Sequence, residues 1–221
     1  MIDVVAIDID DTLCLTEAAS FNLENEVLSR IGRPPMPREA HLSTWGQPLF
    51  HAISERSPGV DPDKFQAVFR EVITEYIADG RLDDIPEENY RALDDLAAAG
   101  KRIALLTSRT EDEVRHMLAP DHKLAPRVIA IYHKGNTSFH KPDPRVFDRL
   151  LNDQSVDPGN VVYVGDSPTD AEAANRRGVL FVASLESGIR QRQDFADYNV
   201  AAFIVRFPDI VAAIRTLDIT T

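Results

Sequence analysis

VVAIDIDDTL, residues 4–13, decides the fold. Its first four residues are apolar without alternation, as in a strand covered on both faces rather than one with a wet side. A strand over 3–9 is expected, ending in three carboxylates within four residues, Asp8, Asp10 and Asp11. Similar runs recur downstream as VIAI at 128–131 and VVYV at 161–164. Further strands are expected over 102–107, 128–132, 161–164, 180–183 and 202–205. Helical patterns fall between them, over 87–99 with Gly100 as the stop, then 110–118, 143–152, 168–177 and 208–216. This alternation predicts an α/β fold, a parallel sheet with helices on both sides.

One stretch breaks the rhythm. Residues 17–80 show helical spacing and no clear strand. Phe21, Val27, Leu28 and Ile31 share one face, and Phe65, Val68, Phe69, Val72, Ile73 and Tyr76 another. The chain is therefore expected to fold as a core of residues 1–13 and 89–221 with a helical domain, 14–88, inserted after the first strand. Of the 221 residues, 36 are acidic and 24 basic, a formal charge of −12. Residues 14–88 carry 14 acidic and 7 basic side chains, −7 of that total. This balance disfavours nucleic acid, whose general binding rests on Lys and Arg. No apolar run nears the roughly 20 residues of a membrane span, so no membrane partner is expected. The acidic start is unlike an export signal, and a single cysteine, Cys14, fits a reducing cytoplasm.

If the first strand persists, Asp8 and Asp10 point to one side, about 6–7 Å apart, with Ile9 turned into the packing. Carboxylates held together raise each other's pKa and call for a cation. Mg²⁺ suits such hard oxygen donors, and strand carboxyl ends are where parallel sheets bind ligands. A solvated turn with Asp11 as a helix cap is the plain alternative. Thr107 and Ser108, at the end of RIALLT, offer hydroxyls and amides suited to a phosphoryl oxygen, or to helix capping. Lys141, in HKPDP, precedes a helix start made by Asp143 and Pro144, and can neutralise a phosphate. In VVYVGDSPTD, 161–170, Gly165 permits an unusual turn and Asp166 stands where a metal ligand would. Ser167 and Asp170 make a capping box, so Asp170 has a structural and a functional reading side by side.

Taken in order, DIDDTL, the Thr107 strand end, Lys141 before Pro142, and GDSPTD resemble the four motifs of the haloacid dehalogenase superfamily. The resemblance implies a Rossmann-like three-layer core with an inserted helical lid. It implies Asp8 as nucleophile, Asp10 as general acid and base, and Thr107, Ser108 and Lys141 as the phosphoryl-binding set. Asp8, the backbone carbonyl of Asp10 and Asp166 would hold Mg²⁺, with Asp170 bonding Lys141 or a metal-bound water. Dehalogenases of this superfamily lack the second carboxylate, and its phosphonate-cleaving branch also replaces it, so Asp10 points to phosphate esters. Asp11 departs from the glycine of many relatives. The expected function is Mg²⁺-dependent hydrolysis of a small phosphorylated metabolite by a monomer or homodimer. A mutase of the β-phosphoglucomutase type and a non-catalytic phosphate-binding regulator are the alternatives. In the helical insertion Glu17, Arg38, His41, Trp45, Gln47, His51 and Arg56 are candidate substrate contacts, each with a surface or core role as the alternative, and 45–48 a turn.

Overall fold

The computed structural model describes residues 1–45, 47 and 49–220. Of the expected turn at 45–48, Gly46 and Pro48 lie outside the described residues. The chain divides into two units, Met1–Cys14 with Ile85–Thr221, and Leu15–Asp84. Residues 85–88 thus go with the first unit rather than the insertion. Ile85 is part of its apolar core, and Glu87 and Glu88 open its first helix.

Among the described residues the first unit holds a six-stranded sheet. Its strands are β1 (Val4–Ile7), β2 (Arg102–Leu106), β3 (Ala130–Tyr132), β4 (Val161–Gly165), β5 (Leu180–Ser184) and β6 (Ala202–Ile204). They lie in the order β3-β2-β1-β4-β5-β6, and every neighbouring pair is parallel. This is a doubly wound sheet whose order reverses at β1, and ligands of such sheets bind at the strand carboxyl ends there. All four residues of β1 are buried, as continuous apolar runs require.

Val5, Ile7, Ile103, Leu105, Val162 and Val164 face helices α5 (Glu87–Ala98) and α9 (Ile210–Thr220). Val4, Ala6, Ala104, Leu106 and Tyr163 face α7 (Asp148–Gln154) and α8 (Pro168–Arg177). The result is three layers, α/β/α. Gly100, at φ +80°, ends the turn after α5 where a side chain would be strained.

Some elements are shorter than their sequence patterns. The expected helix at 110–118 is α6 (Glu111–Val114) continued as a 3₁₀ turn, Arg115–Leu118. That at 143–152 begins with a 3₁₀ turn, Pro144–Phe147, before α7. β1 ends at Ile7, so strand alternation does not set Asp10 beside Asp8. The amides of Thr12, Leu13 and Cys14 instead converge on the Ile9 carbonyl in a tight turn. Asp11 takes φ +55° in that turn, a backbone conformation that favours glycine.

The second unit contains α1 (Thr16–Arg30), α2 (Arg38–Ser43), α3 (Leu49–Arg56) and α4 (Pro62–Ala78). Its core is built from Leu23, Val27, Leu28, Ile53, Phe65, Val72 and Tyr76, of which all but Leu23 and Ile53 belong to the expected helical stripes. Asp61 caps α4, accepting from the amides of Asp63 and Lys64, and Pro62 supplies its first turn. No helix among the described residues is long and apolar enough to cross a membrane.

Candidate active site

The register of the sheet builds the site. Ile7 is level with Leu105 on one side and with Val164 on the other. Asp8, Thr107 and Asp166 therefore leave the carboxyl ends of three adjacent strands, about 4.8 Å apart. Asp8 is held by its own amide, which donates to the Val164 carbonyl at 2.9 Å. Thr107 donates its amide to the Tyr132 carbonyl at 2.9 Å, and its hydroxyl accepts the Arg109 amide at 3.1 Å. Ser108 is exposed at the same edge.

Lys141 joins the two sides. Its side chain is only 7% exposed, and Nζ lies 3.1 Å from Asp8 Oδ2 and 2.6 Å from Asp170 Oδ1. Burial opposes the lysine's charge, but Asp170 and Asp8 outweigh it and hold the ammonium well above its ordinary pKa. Asp170 both caps the helix and contacts Lys141. Its Oδ2 accepts from the amide and hydroxyl of Ser167, at 3.1 and 2.7 Å, while Oδ1 receives Lys141. Those three donors, with the Tyr163 hydroxyl at 3.2 Å, fill the carboxylate's lone-pair directions.

One carboxylate oxygen from each of Asp8, Asp166 and Asp170 lies within 4.8 Å of the others. Burial raises the Asp8 pKa to about 7; Lys141 opposes that rise, while Asp170 and Asp10 add to it. Burial, then Asp170, Asp8 and Asp11, hold Asp166 well above the carboxylate range. A buried set of hard oxygen donors that resist ionisation fits a divalent cation, which would stabilise their charged forms. With Asp170 occupied by its donors, Asp8 and Asp166 are the side chains best placed to bind it.

Asp10 is placed differently from its neighbours. Its carboxylate is 37% exposed and is gripped by Arg109, with Nε 3.1 Å from both oxygens and Nη2 2.7 Å from Oδ1. Arg109 escaped the sequence reading because a lone arginine two residues past a strand end carries no periodic or spacing signal. Tyr163 escaped it too, since its strand reads as apolar. The Gly165 backbone is not in the left-handed region, so conformational freedom is not its role. Close approach is: a Cβ there would lie 2.6 Å from Asp170 Oδ2 and 2.8 Å from its Cβ. Gly165→Ala is expected to cost about 1–3 kcal/mol by overpacking and to displace Asp170 from Lys141. Urea unfolding alongside activity checks both effects.

The helical candidates fall into two groups. His51 and Gln47 are exposed. Glu17, His41 and Arg56 are buried in an ion network within their own unit. His41 Nδ1 lies 2.6 Å from Glu17 and Nε2 3.2 Å from Glu24, while Arg56 Nη1 reaches both Glu24 oxygens at 2.7 and 2.8 Å. Arg38 also pairs with Glu17, and Trp45 stacks at a tilt on His41. Glu24 was missed because a single acid on an amphipathic helix looks solvated.

A doubly wound sheet with a lysine-bridged aspartate cluster at its switch point has the architecture of an α/β enzyme. Residues 5–184 match the haloacid dehalogenase-like hydrolases, and the chain belongs to that family. It is 24% identical over 202 residues to a phosphoglycolate phosphatase of Rhodobacter capsulatus, covering 84% of this chain and 85% of the relative. A phosphoglycolate phosphatase of Rhodospirillum rubrum is 33% identical over 87 residues, 39% of this chain and 36% of that one. A Thermotoga maritima structure assigned provisionally as a β-phosphoglucomutase superposes with a TM-score of 0.79 at 20% identity, covering 97% of this chain and 99% of that one. The chain is thus an enzyme, a hydrolase whose curated relatives are phosphatases.

Proposed function

We propose that this hydrolase cleaves a small phosphate monoester in the cytoplasm, with Mg²⁺ as its cofactor. The observation that carries the reading is Asp8, buried at the switch point with a lysine ammonium 3.1 Å away and the Asp166 and Asp170 carboxylates beside it. A carboxylate oxygen of Asp8 attacks phosphorus, and the bond to the leaving oxygen breaks as Asp10 gives that oxygen its proton. Water then attacks the aspartyl-phosphate while Asp10 takes a proton back, releasing phosphate and restoring Asp8. Thr107, the Ser108 amide and Lys141 hold the phosphoryl oxygens, so most of the rate comes from positioning and charge neutralisation. Asp8, the Asp10 carbonyl and Asp166 would hold Mg²⁺, which supplies further positive charge against those oxygens.

Arg109 narrows the substrate. Its guanidinium lies within 2.7–3.1 Å of the carboxylate that must meet the leaving oxygen. A leaving group bearing its own anion would therefore meet a cation close at hand. Phosphoglycolate, whose alcohol portion carries a carboxylate, is the natural first substrate to assay, beside an uncharged aryl phosphate.

The expected result is Mg²⁺-dependent phosphate release from both, with kcat/KM favouring phosphoglycolate. Arg109→Ala also frees Asp10, so kcat/KM should fall on both esters, but by about 10–100-fold more on phosphoglycolate, as loss of a further charged hydrogen bond does. Equal losses on both would remove the second-anion reading. Isomerised sugar phosphate without phosphate release would mark a mutase, and inactivity on a broad panel of esters would overturn the whole reading.

A further inference from the structure

Tyr163 lies in the interior strand β4, its ring edge-on to Phe147 at 5.2 Å and tilted against Phe181 at 6.4 Å. A phenylalanine would fill that space equally well, so the hydroxyl needs a separate reason. An unpaired buried hydroxyl costs roughly 1–3 kcal/mol. Here it is well partnered. It accepts from Lys141 Nζ at 3.0 Å and has two acceptors for its one proton, the Leu106 carbonyl at 3.1 Å and Asp170 Oδ1 at 3.2 Å. Burial and the neighbouring Asp170 and Asp8 hold the phenol well above its ordinary pKa, so it stays a neutral donor and acceptor.

The lysine shows what the phenol does. An ammonium group has three N–H donors and no acceptor. Among the described residues, Lys141 Nζ has three oxygen neighbours, Asp170 Oδ1 at 2.6 Å, Tyr163 Oη at 3.0 Å and Asp8 Oδ2 at 3.1 Å. Each N–H thus has one acceptor, and the rotation of the group is set. The Leu106 carbonyl belongs to the peptide that leads into Thr107, and the Thr107 amide is itself bonded to Tyr132. One phenol oxygen therefore ties together the end of β2, the start of α8 and the lysine.

We propose that Tyr163 is a positioning residue for Lys141: its hydroxyl accepts the third ammonium N–H and keeps Nζ beside Asp8, at a set distance from the Thr107 end of β2. The proposal rests on the phosphate-ester reading, in which Lys141 and Thr107 grip the same phosphoryl group. A ring that merely filled the core would need no hydroxyl, and one that merely capped a carbonyl would not meet the lysine.

Tyr163→Phe keeps the ring and removes one oxygen. On an aryl phosphate, kcat should fall about 10–100-fold, the usual loss when an outer partner of a site residue is removed, with KM changed less than about twofold. In a Lys141→Arg background the same substitution should cost less than about twofold, because a positioning effect needs the lysine it positions. A kcat within about twofold of wild type in the single variant, or full multiplicative losses in the double variant, would overturn the proposal. A readout independent of turnover uses ¹⁵N-labelled lysine side chains. Lys101 is as buried as Lys141 and pairs with Asp218 at 2.6 Å, so wild type should show more than one slowly exchanging ammonium resonance. The one absent in Lys141→Arg should shift and exchange faster in Tyr163→Phe. An unchanged resonance overturns the positioning role even if no phosphate ester proves to be a substrate. A wild type without phosphatase activity whose ammonium signal responds as expected would instead overturn the ester reading alone.

Discussion

Asp8→Asn is expected to lower kcat for phosphate release at least about 10³-fold, the scale of losing a covalent nucleophile. The amide has the shape of the carboxylate but no charge to attack phosphorus, so no aspartyl-phosphate forms for water to hydrolyse. The protein itself should not suffer. Asp8 sits among Asp166 and Asp170 in a cluster whose own repulsion and burial raise its pKa to about 7. Removing that charge relieves the cluster, while Lys141 keeps Asp170 at 2.6 Å. The thermal midpoint should therefore hold or rise as activity vanishes. Intact-mass measurement after acid quench should find one phosphoryl group on wild type and none on the variant. Removing Mg²⁺ with a chelator should abolish wild-type turnover as well. Activity within a hundredfold of wild type in Asp8→Asn would exclude the aspartyl-phosphate route.

Arg56→Met should destabilise the helical unit by about 3–5 kcal/mol, the cost of stranding one charge of a buried pair. The Arg56 side chain is 2% exposed and that of Glu24 4%, and Arg56 also donates to the Thr44 hydroxyl at 2.7 Å and to the Thr44 carbonyl at 3.0 Å. Its removal leaves Glu24 facing, among the described residues, only His41, at 3.2 Å, with Glu17 close by on the other ring nitrogen. The chain's single tryptophan, Trp45, packs on His41, so intrinsic fluorescence reports on this unit. Urea titration followed at Trp45 should show the lowered midpoint. Glu24→Gln combined with Arg56→Met should recover much of the loss, because the stranded charge is then gone. A destabilisation below about 1 kcal/mol would mean that water reaches Glu24 and the network carries little.

The fold was legible in the sequence because its strands are buried on both faces and its helices on one. Those are the two periodicities that a chain displays without its partners. VVAI, VVYV and the stripe from Phe65 to Tyr76 each report their burial directly, and each is found in a core. Site residues that end strands or open helices were legible for a similar local reason. Asp8, Thr107, Asp166 and the Ser167–Asp170 box all mark a change of element. Where the reading missed, the cause was an assumption about local continuation. The strand stops at Ile7, so the Ile9-centred turn rather than the pleat places Asp10. Gly165 is small because Asp170 crowds it, and that crowding comes from the packing of the α8 start against β4.

By itself the sequence determined the layered α/β core, the helical insertion and the identity of the acids and hydroxyls at the strand ends and of the lysine in a loop. Patterning and capping chemistry are properties of neighbouring residues, and they need no knowledge of distant ones. The tertiary structure alone decided which charges meet. Lys141 joins Asp8 and Asp170, Arg109 grips Asp10 from 99 residues away, and Tyr163 takes the last N–H of the lysine. It also turned Glu17, His41 and Arg56 from free candidates into members of a buried network. Coulomb attraction and hydrogen bonding act over a few ångströms, so partners separated along the chain become visible only when the sheet register brings them together.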